Sequence, residues 1–197
     1  MLLLAHAVYA GQFEVATVDH ALRAEAKREC AFVEQVCSER DIACAVLTVQ
    51  VPEGNLQAQA REARYAALEH WVSDRDLAAI MTAHHADDQA ETLLMRLNRG
   101  SGVAGLAGVR RVNDTKAGGL RVVRPLLGFR RAELESVVSA AGLHAVEDPS
   151  NQNDRFDRVR IRQALADADW LDPLAIAQSA QHPVSYTHLR AHETDSY

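Results

Sequence analysis

The sequence predicts an α/β protein: a doubly wound, mostly parallel sheet that lacks its first strand. Three observations lead there. Short apolar or β-branched runs alternate with helical patterns of ten to twenty residues between Phe13 and Leu97. The apolar run Leu77 to Ala83 passes without a turn residue into an amphipathic pattern at His84-His85, the kind of strand-to-helix passage where open α/β sheets place their ligands. The chain also opens on an apolar helix, whereas such a sheet is built outward from a central first strand.

In order, Met1 to Ala10 is Ala- and Leu-rich and reads as a helix stopped by Gly11. Phe13 to Val18 reads as a strand ending at Asp19-His20, Leu22 to Arg40 as a helix and Ala43 to Val51 as a strand. Pro52-Glu53-Gly54 makes a turn, and Asn55 caps a helix running to about Trp71. Leu77 to Ala83 is the central strand, and a helix follows from His84. Gly100-Ser101-Gly102 and Gly105 come after that helix, so helix stop and flexible loop are their first reading and phosphate contact their second. Arg110 to Gly119 reads as a polar, turn-rich loop, Leu120 to Leu127 as a short strand, and Arg130 to Ala141 as a helix ended by Gly142.

Composition is that of an ordinary globular domain, 48% hydrophobic and 24% charged. No apolar run approaches the roughly 20 residues that span a bilayer, and no basic leader precedes Met1-Leu2-Leu3-Leu4, so the expectation is a cytoplasmic protein with no membrane partner. Cys30, Cys37 and Cys44 form no CxxC pair and read as buried thiols. The net charge of −6 is uneven: residues 1–109 carry 9 Lys+Arg against 15 Asp+Glu, and residues 110–162 carry 11 against 7. A basic segment on an acidic protein suits phosphates, and a solvated patch fits the same count.

At about 100° per residue, His84, Asp87, Asp88 and Glu91 fall on one third of the helix, with Ala86, Ala90, Leu93, Leu94 and Leu97 roughly opposite. Three carboxylates on one face repel unless a cation or a cationic substrate lies among them. The helix dipole offsets part of the repulsion. A solvated acidic face is the bland alternative; position at a strand end favours a site. Hard oxygen ligands point to Mg²⁺ rather than zinc.

The segment HHADDQAET followed by LNRGSGVAGLAG resembles the second signature of the tRNA(Ile)-lysidine synthetases, members of the PP-loop ATP pyrophosphatase superfamily. Asp19-His20-Ala21-Leu22-Arg23 is similar to the family's Asp-His-Gly-Leu-Arg, with Ala21 in place of Gly. Arg124-Pro125-Leu126-Leu127 and Glu147-Asp148-Pro149-Ser150-Asn151 resemble its closing motifs. Arg158-Val159-Arg160-Ile161-Arg162 resembles its Arg-Asn-x-Ile-Arg, with Val159 in place of Asn. The resemblance implies a Rossmann-like PP-loop domain over residues 1–166, a linker beginning at 167–183 and, at 184–197, a tail that resembles adapter read-through and is excluded from function.

It also implies a reaction. ATP activates the C2 oxygen of a wobble cytidine in tRNA(Ile) with a CAU anticodon, pyrophosphate leaves, and L-lysine displaces AMP. On this reading His84, Asp87, Asp88 and Glu91 are catalytic, the three carboxylates are the candidates to hold Mg²⁺ or, for one of them, to receive the lysine ammonium, and Asp19, His20, Arg23, Arg99, Gly100, Ser101 and Gly102 border ATP. Arg124, Asp148, Asn151, Arg155, Arg158, Arg160 and Arg162 meet substrate or tRNA phosphates, a task suited to the planar, always charged guanidinium. The family's Ser-Gly-Gly-x-Asp-Ser loop, which wraps the ATP phosphates, is not found ahead of Met1, so the chain as it stands is expected to release no pyrophosphate. Two other readings stay open: another PP-loop tRNA-modifying enzyme such as a thiolase, against which the missing CxxC counts, and a truncated reading frame without function. Oligomeric state is not legible.

Overall fold

The structure is a computed structural model that describes residues 1–20, 24–50, 56–115, 119–145 and 157–181. The chain divides into two compact units, residues 1–80 with 114–121 and residues 81–113 with 122–197.

In the first unit, helix α1 (Leu2–Tyr9) is followed by Gly11 at φ +73°, a left-handed turn that glycine enters without steric cost. Strand β1 (Val15–Asp19), helix α2 (Ala24–Ser38), strand β2 (Cys44–Thr48) and helix α3 (Leu56–Asp74) follow. β1 and β2 pair in parallel, from Val15 opposite Cys44 to Asp19 opposite Thr48. Two parallel strands need a crossover, and α2 supplies it, packing on both of them. Its inward face contributes Cys30, Val36 and Cys37 to a core completed by Ile42, Val49 and Val72. The three cysteines are free thiols; burial, first of all, pushes the Cys44 thiol up to about 12.

The second unit begins as strand β3 (Ile80–Met81) ends. β3 is shorter than the seven-residue run predicts. Asp76 adopts φ +52° and the Leu77 amide donates back to the Val72 carbonyl, so the first part of the run closes α3 instead of extending a strand. Helix α4 (Ala86–Asn98) and the four-residue helix α5 (Val103–Leu106) come next. The polar stretch read as a loop contains strand β4 (Val112–Asp114), which hydrogen-bonds with β5 (Arg121–Val123) in a three-stranded sheet ordered β3-β5-β4. All three β4 residues are exposed, so no apolar alternation marks them. Leu126 and Leu127 are buried as the sequence suggests, but in a turn beyond β5.

Helix α6 (Arg131–Ala140) ends before Gly142 at φ +69°. Helices α7 (Asp157–Asp167) and α8 (Pro173–Ser179) complete the unit, and both pack against α4. α8 lies within the stretch expected to begin a linker. Asp172 caps it by accepting from the Leu174 amide at 2.9 Å, with Pro173 in the first turn. No described helix is long and apolar enough to cross a membrane.

Candidate active site at the start of α4

The first turn of α4 is fixed by its own side chains. The His85 amide donates to Asp88 Oδ2 at 3.0 Å and the Asp88 amide donates to His85 Nδ1 at 3.4 Å, a reciprocal capping box. The Ala86 amide donates to the Phe129 carbonyl at 2.9 Å, tying the turn to the segment that leads into α6. His84, just ahead, has Nδ1 2.9 Å from Thr82 Oγ1, which sets the plane of its ring. His85 was not among the residues singled out from the sequence; its place immediately before the apolar-periodic run is that of an N-cap.

Asp87 turns to the start of α6, whereas Asp88 and Glu91 share Arg158 of α7. Asp87 Oδ2 accepts from the Arg131 amide at 2.8 Å, so Asp87 caps the start of α6, and its Oδ1 lies 3.5 Å from Arg130 Nε. Asp88 keeps Oδ2 on its own helix cap and has Oδ1 3.4 Å from Arg158 Nη2. Glu91 is 2% exposed and accepts three hydrogen bonds: from Arg158 Nε at 2.6 Å, from Arg162 Nε at 2.7 Å and from Arg162 Nη2 at 3.4 Å. The pairing pushes the Arg162 guanidinium above its ordinary range, through the hydrogen bond to Glu91.

The shared acidic face therefore does not form around a cation. Among the described residues, no group of three or more His, Cys, Asp or Glu is arranged to hold a metal. Arg130, Arg158 and Arg162 neutralise Asp87, Asp88 and Glu91, and both Glu91 oxygens are taken. The less tightly held oxygens are Asp87 Oδ1, 3.5 Å from Arg130 Nε, and Asp88 Oδ1, which accepts a long hydrogen bond from Arg158 Nη2 at 3.4 Å; an ion would have to take these over from the arginines. A site with two such carboxylates suits Mg²⁺, which takes one or two protein carboxylates and completes its shell from phosphates and water. A site that needed Glu91 as well would not. The apolar face also departs from the helical wheel at its end, because Leu97 is 49% exposed while Gln89 and Glu91 are buried.

Gln89 is the second residue the sequence did not disclose. Fully buried, it receives the Val109 amide on Oε1 and donates from Nε2 to the Val109 carbonyl, both at 2.6 Å. A side-chain amide meets a peptide group in this way as a neighbouring strand would. Gly108 must stay glycine here, since a Cβ would lie 2.6 Å from Gln89 Oε1 and 3.0 Å from Ala180 Cβ. Arg96 donates to the Ala107 carbonyl, so two side chains of α4 hold the end of the glycine-rich loop. Within that loop Gly100 takes φ +68° as the stop after α4.

On α7, Arg99 and Arg160 share Asp157, with Arg99 Nη2 at 3.2 Å. The hydrogen bonds from Arg160 and then Arg99 hold the Asp157 carboxyl below its usual range. Val159, where the resemblance has Asn, is buried. Arg124 is buried beyond the end of β5 and donates from Nη1 to the Arg110 carbonyl at 2.9 Å. Asp19 and His20 belong to the first unit: Asp19 is buried, and His20 is lowered by burial and then by Arg64, with Asp19 acting in the opposite sense. Arg23, Asp148, Asn151 and Arg155 lie outside the described residues.

Residues 1–168 match the family model of the PP-loop domain. The chain is 50% identical over 184 residues to a tRNA(Ile)-lysidine synthase of Novosphingobium aromaticivorans, covering 92% of this chain and 56% of the relative. It is 44% identical over 185 residues to a protein of the same name from Zymomonas mobilis, again covering 56% of that relative. The chain thus spans about half the length of these curated relatives. A solved structure, the U34-tRNA thiolase NcsA from Methanococcus maripaludis with its [4Fe-4S] cluster, superposes with a TM-score of 0.73 at 14% identity, over 97% of this chain and 69% of that one, and shares its fold.

Proposed function

The chain belongs to the PP-loop domain family, and on that premise we propose that it carries the catalytic domain of a lysidine-forming enzyme of tRNA(Ile). In this reaction the C2 oxygen of the wobble cytidine attacks the α-phosphorus of ATP, and the bond to pyrophosphate breaks. An amine of L-lysine then attacks C2, the bond to AMP breaks, and the surplus proton of the amine passes to a base.

The observation that carries the reading is the first turn of α4: a histidine and two aspartates held at a strand end by a cap and by two arginines, Arg130 and Arg158. His84, oriented through Thr82, is the base proposed to take that proton, since an imidazole exchanges protons near neutral pH. Asp87 and Asp88 would hold Mg²⁺ through their less tightly held oxygens, and the ion when bound supplies positive charge against the leaving pyrophosphate. Glu91 belongs to the scaffold: it sets Arg158 and Arg162 in place. Arg99 and Arg160 carry two positive charges against the single Asp157, a surplus suited to ATP or tRNA phosphates. The relatives named tRNA(Ile)-lysidine synthase favour this chemistry over thiolation, for which only the fold of the thiolase speaks.

The test is a chimera in which residues 1–168 replace the matching stretch of the Novosphingobium relative. Release of pyrophosphate should require tRNA(Ile) and lysine together. Asp88→Asn should cut turnover at least about tenfold, the scale of a lost metal contact. Unchanged turnover would return Asp88 to the helix cap alone.

A further inference from the structure

Among the described residues, three arginines of the second unit have no acid beside them. Arg110 and Arg111 are exposed, and no hydrogen bond or ion pair engages either side chain among the described residues. Arg124 meets both through the backbone, donating from Nη1 to the Arg110 carbonyl at 2.9 Å and from its amide to the Arg111 carbonyl at 2.8 Å. It is 5% exposed, and its buried Nε has no hydrogen-bond partner. A guanidinium carries five N–H donors and cannot shed its charge. Here one carbonyl answers it, and no carboxylate among the described residues does.

A buried, uncompensated charge is costly in a folded protein, which is why buried cations are normally paired. The arginines at α4 in the same unit obey that rule; this group does not. We propose that Arg110, Arg111 and Arg124 form a phosphate-binding site beside β4 and β5, separate from the acidic turn of α4. Arg124 supplies a fixed, desolvated cation, whose pull on an anion is stronger than that of a solvated one. Arg110 and Arg111 are exposed and able to close on the phosphate's remaining oxygens. The phosphate comes from a nucleic-acid backbone or from a free nucleotide. The site does not depend on the lysidine reading, because its test is binding and involves no turnover.

The full chain is titrated with magnesium-ATP and, separately, with an RNA stem-loop, alongside Arg110→Ala/Arg111→Ala, Arg124→Met and Arg124→Lys. Arg121→Ala is the charge-matched control, since Arg121 already pairs with Asp114 at 3.4 Å. The double variant and Arg124→Met should each weaken one probe at least tenfold, with Arg121→Ala changing it less than threefold and Arg124→Lys falling between. On RNA, the double variant should also lower the slope of log affinity against log salt by about 0.7 to 0.9, the share of one phosphate contact. Loss confined to RNA identifies a backbone phosphate; loss confined to ATP identifies a nucleotide phosphate. If Arg124→Met does not fold, the surface double variant decides. The proposal is overturned if the wild-type chain binds neither probe, if the double variant binds both as wild type does, or if Arg121→Ala loses as much.

Discussion

The second unit holds two groups of three arginines that differ in one respect. Arg130, Arg158 and Arg162 each face a carboxylate of α4, whereas Arg110, Arg111 and Arg124 face none among the described residues. The first group is part of the architecture: its charge is spent on holding α6 and α7 against α4. The second has charge left over, and surplus charge is what a ligand can use. A sequence count gives residues 110–162 a net charge of +4. It does not reveal which arginines are already answered.

The largest effect that would sharpen this comparison comes from Glu91→Ala. With Glu91 gone, Arg162 loses its carboxylate, Arg158 keeps only Asp88, and α7 loses its anchor, so stability in urea should fall by about 1–3 kcal/mol, below the full range for a buried pair because both guanidiniums are part-exposed and can reach water. A loss under 1 kcal/mol would mean that the pair is surface-like and that Glu91 remains available for other work. Next comes Gln89→Leu, which removes both bonds to Val109 and leaves a part-buried amide and carbonyl without their protein partner. A loss no larger than that is expected, with faster hydrogen exchange at the Val109 amide. Unchanged exchange there would show that the loop is held without Gln89.

Asp87→Ala should cost about 1 kcal/mol, the usual weight of a helix cap, with fraying confined to the start of α6. The smallest effect concerns pH. Asp157 has a depressed folded pKa, so its pairing with Arg160 and Arg99 stabilises above the ordinary carboxylate range and is lost as pH falls through the lowered value. The wild-type chain should lose slightly more stability between neutral and acid pH than Asp157→Asn does. Because Asp157 is largely solvent-screened, the difference should shrink further in high salt.

How much of this was legible beforehand follows from what each element depends on locally. β1, α2, β2 and α3 were readable because their apolar periods match their pairing, and α4 because the strand-to-helix passage at His84-His85 is local. β4 was hidden by three exposed residues, since a strand without a buried face leaves no alternation. α7 was masked by its arginines, whose burial partner, Glu91, is remote in sequence. α8 carried a readable signature, Asp172 before Pro173, that the polar surroundings obscured. At the site, the wheel that grouped Asp87, Asp88 and Glu91 treated α4 as if it had one solvent face. In the fold α7 and α8 pack against it and the start of α6 is tied to it, so Asp87 turns to α6 while Asp88 and Glu91 share Arg158 of α7. Sequence identifies the acids of a helix; only packing decides which of them remain available.

The account's central claim is that Asp88 works on substrate while Glu91 works on structure. Pyrophosphate release by the chimera, measured with tRNA(Ile) and lysine for Asp88→Asn and Glu91→Gln beside thermal melting of each, tests it most directly. The account predicts that Asp88→Asn melts near the parent temperature with turnover reduced at least about tenfold, and that Glu91→Gln loses turnover only in step with its lowered melting temperature. A stable Glu91→Gln protein without activity, beside an active Asp88→Asn, would contradict it.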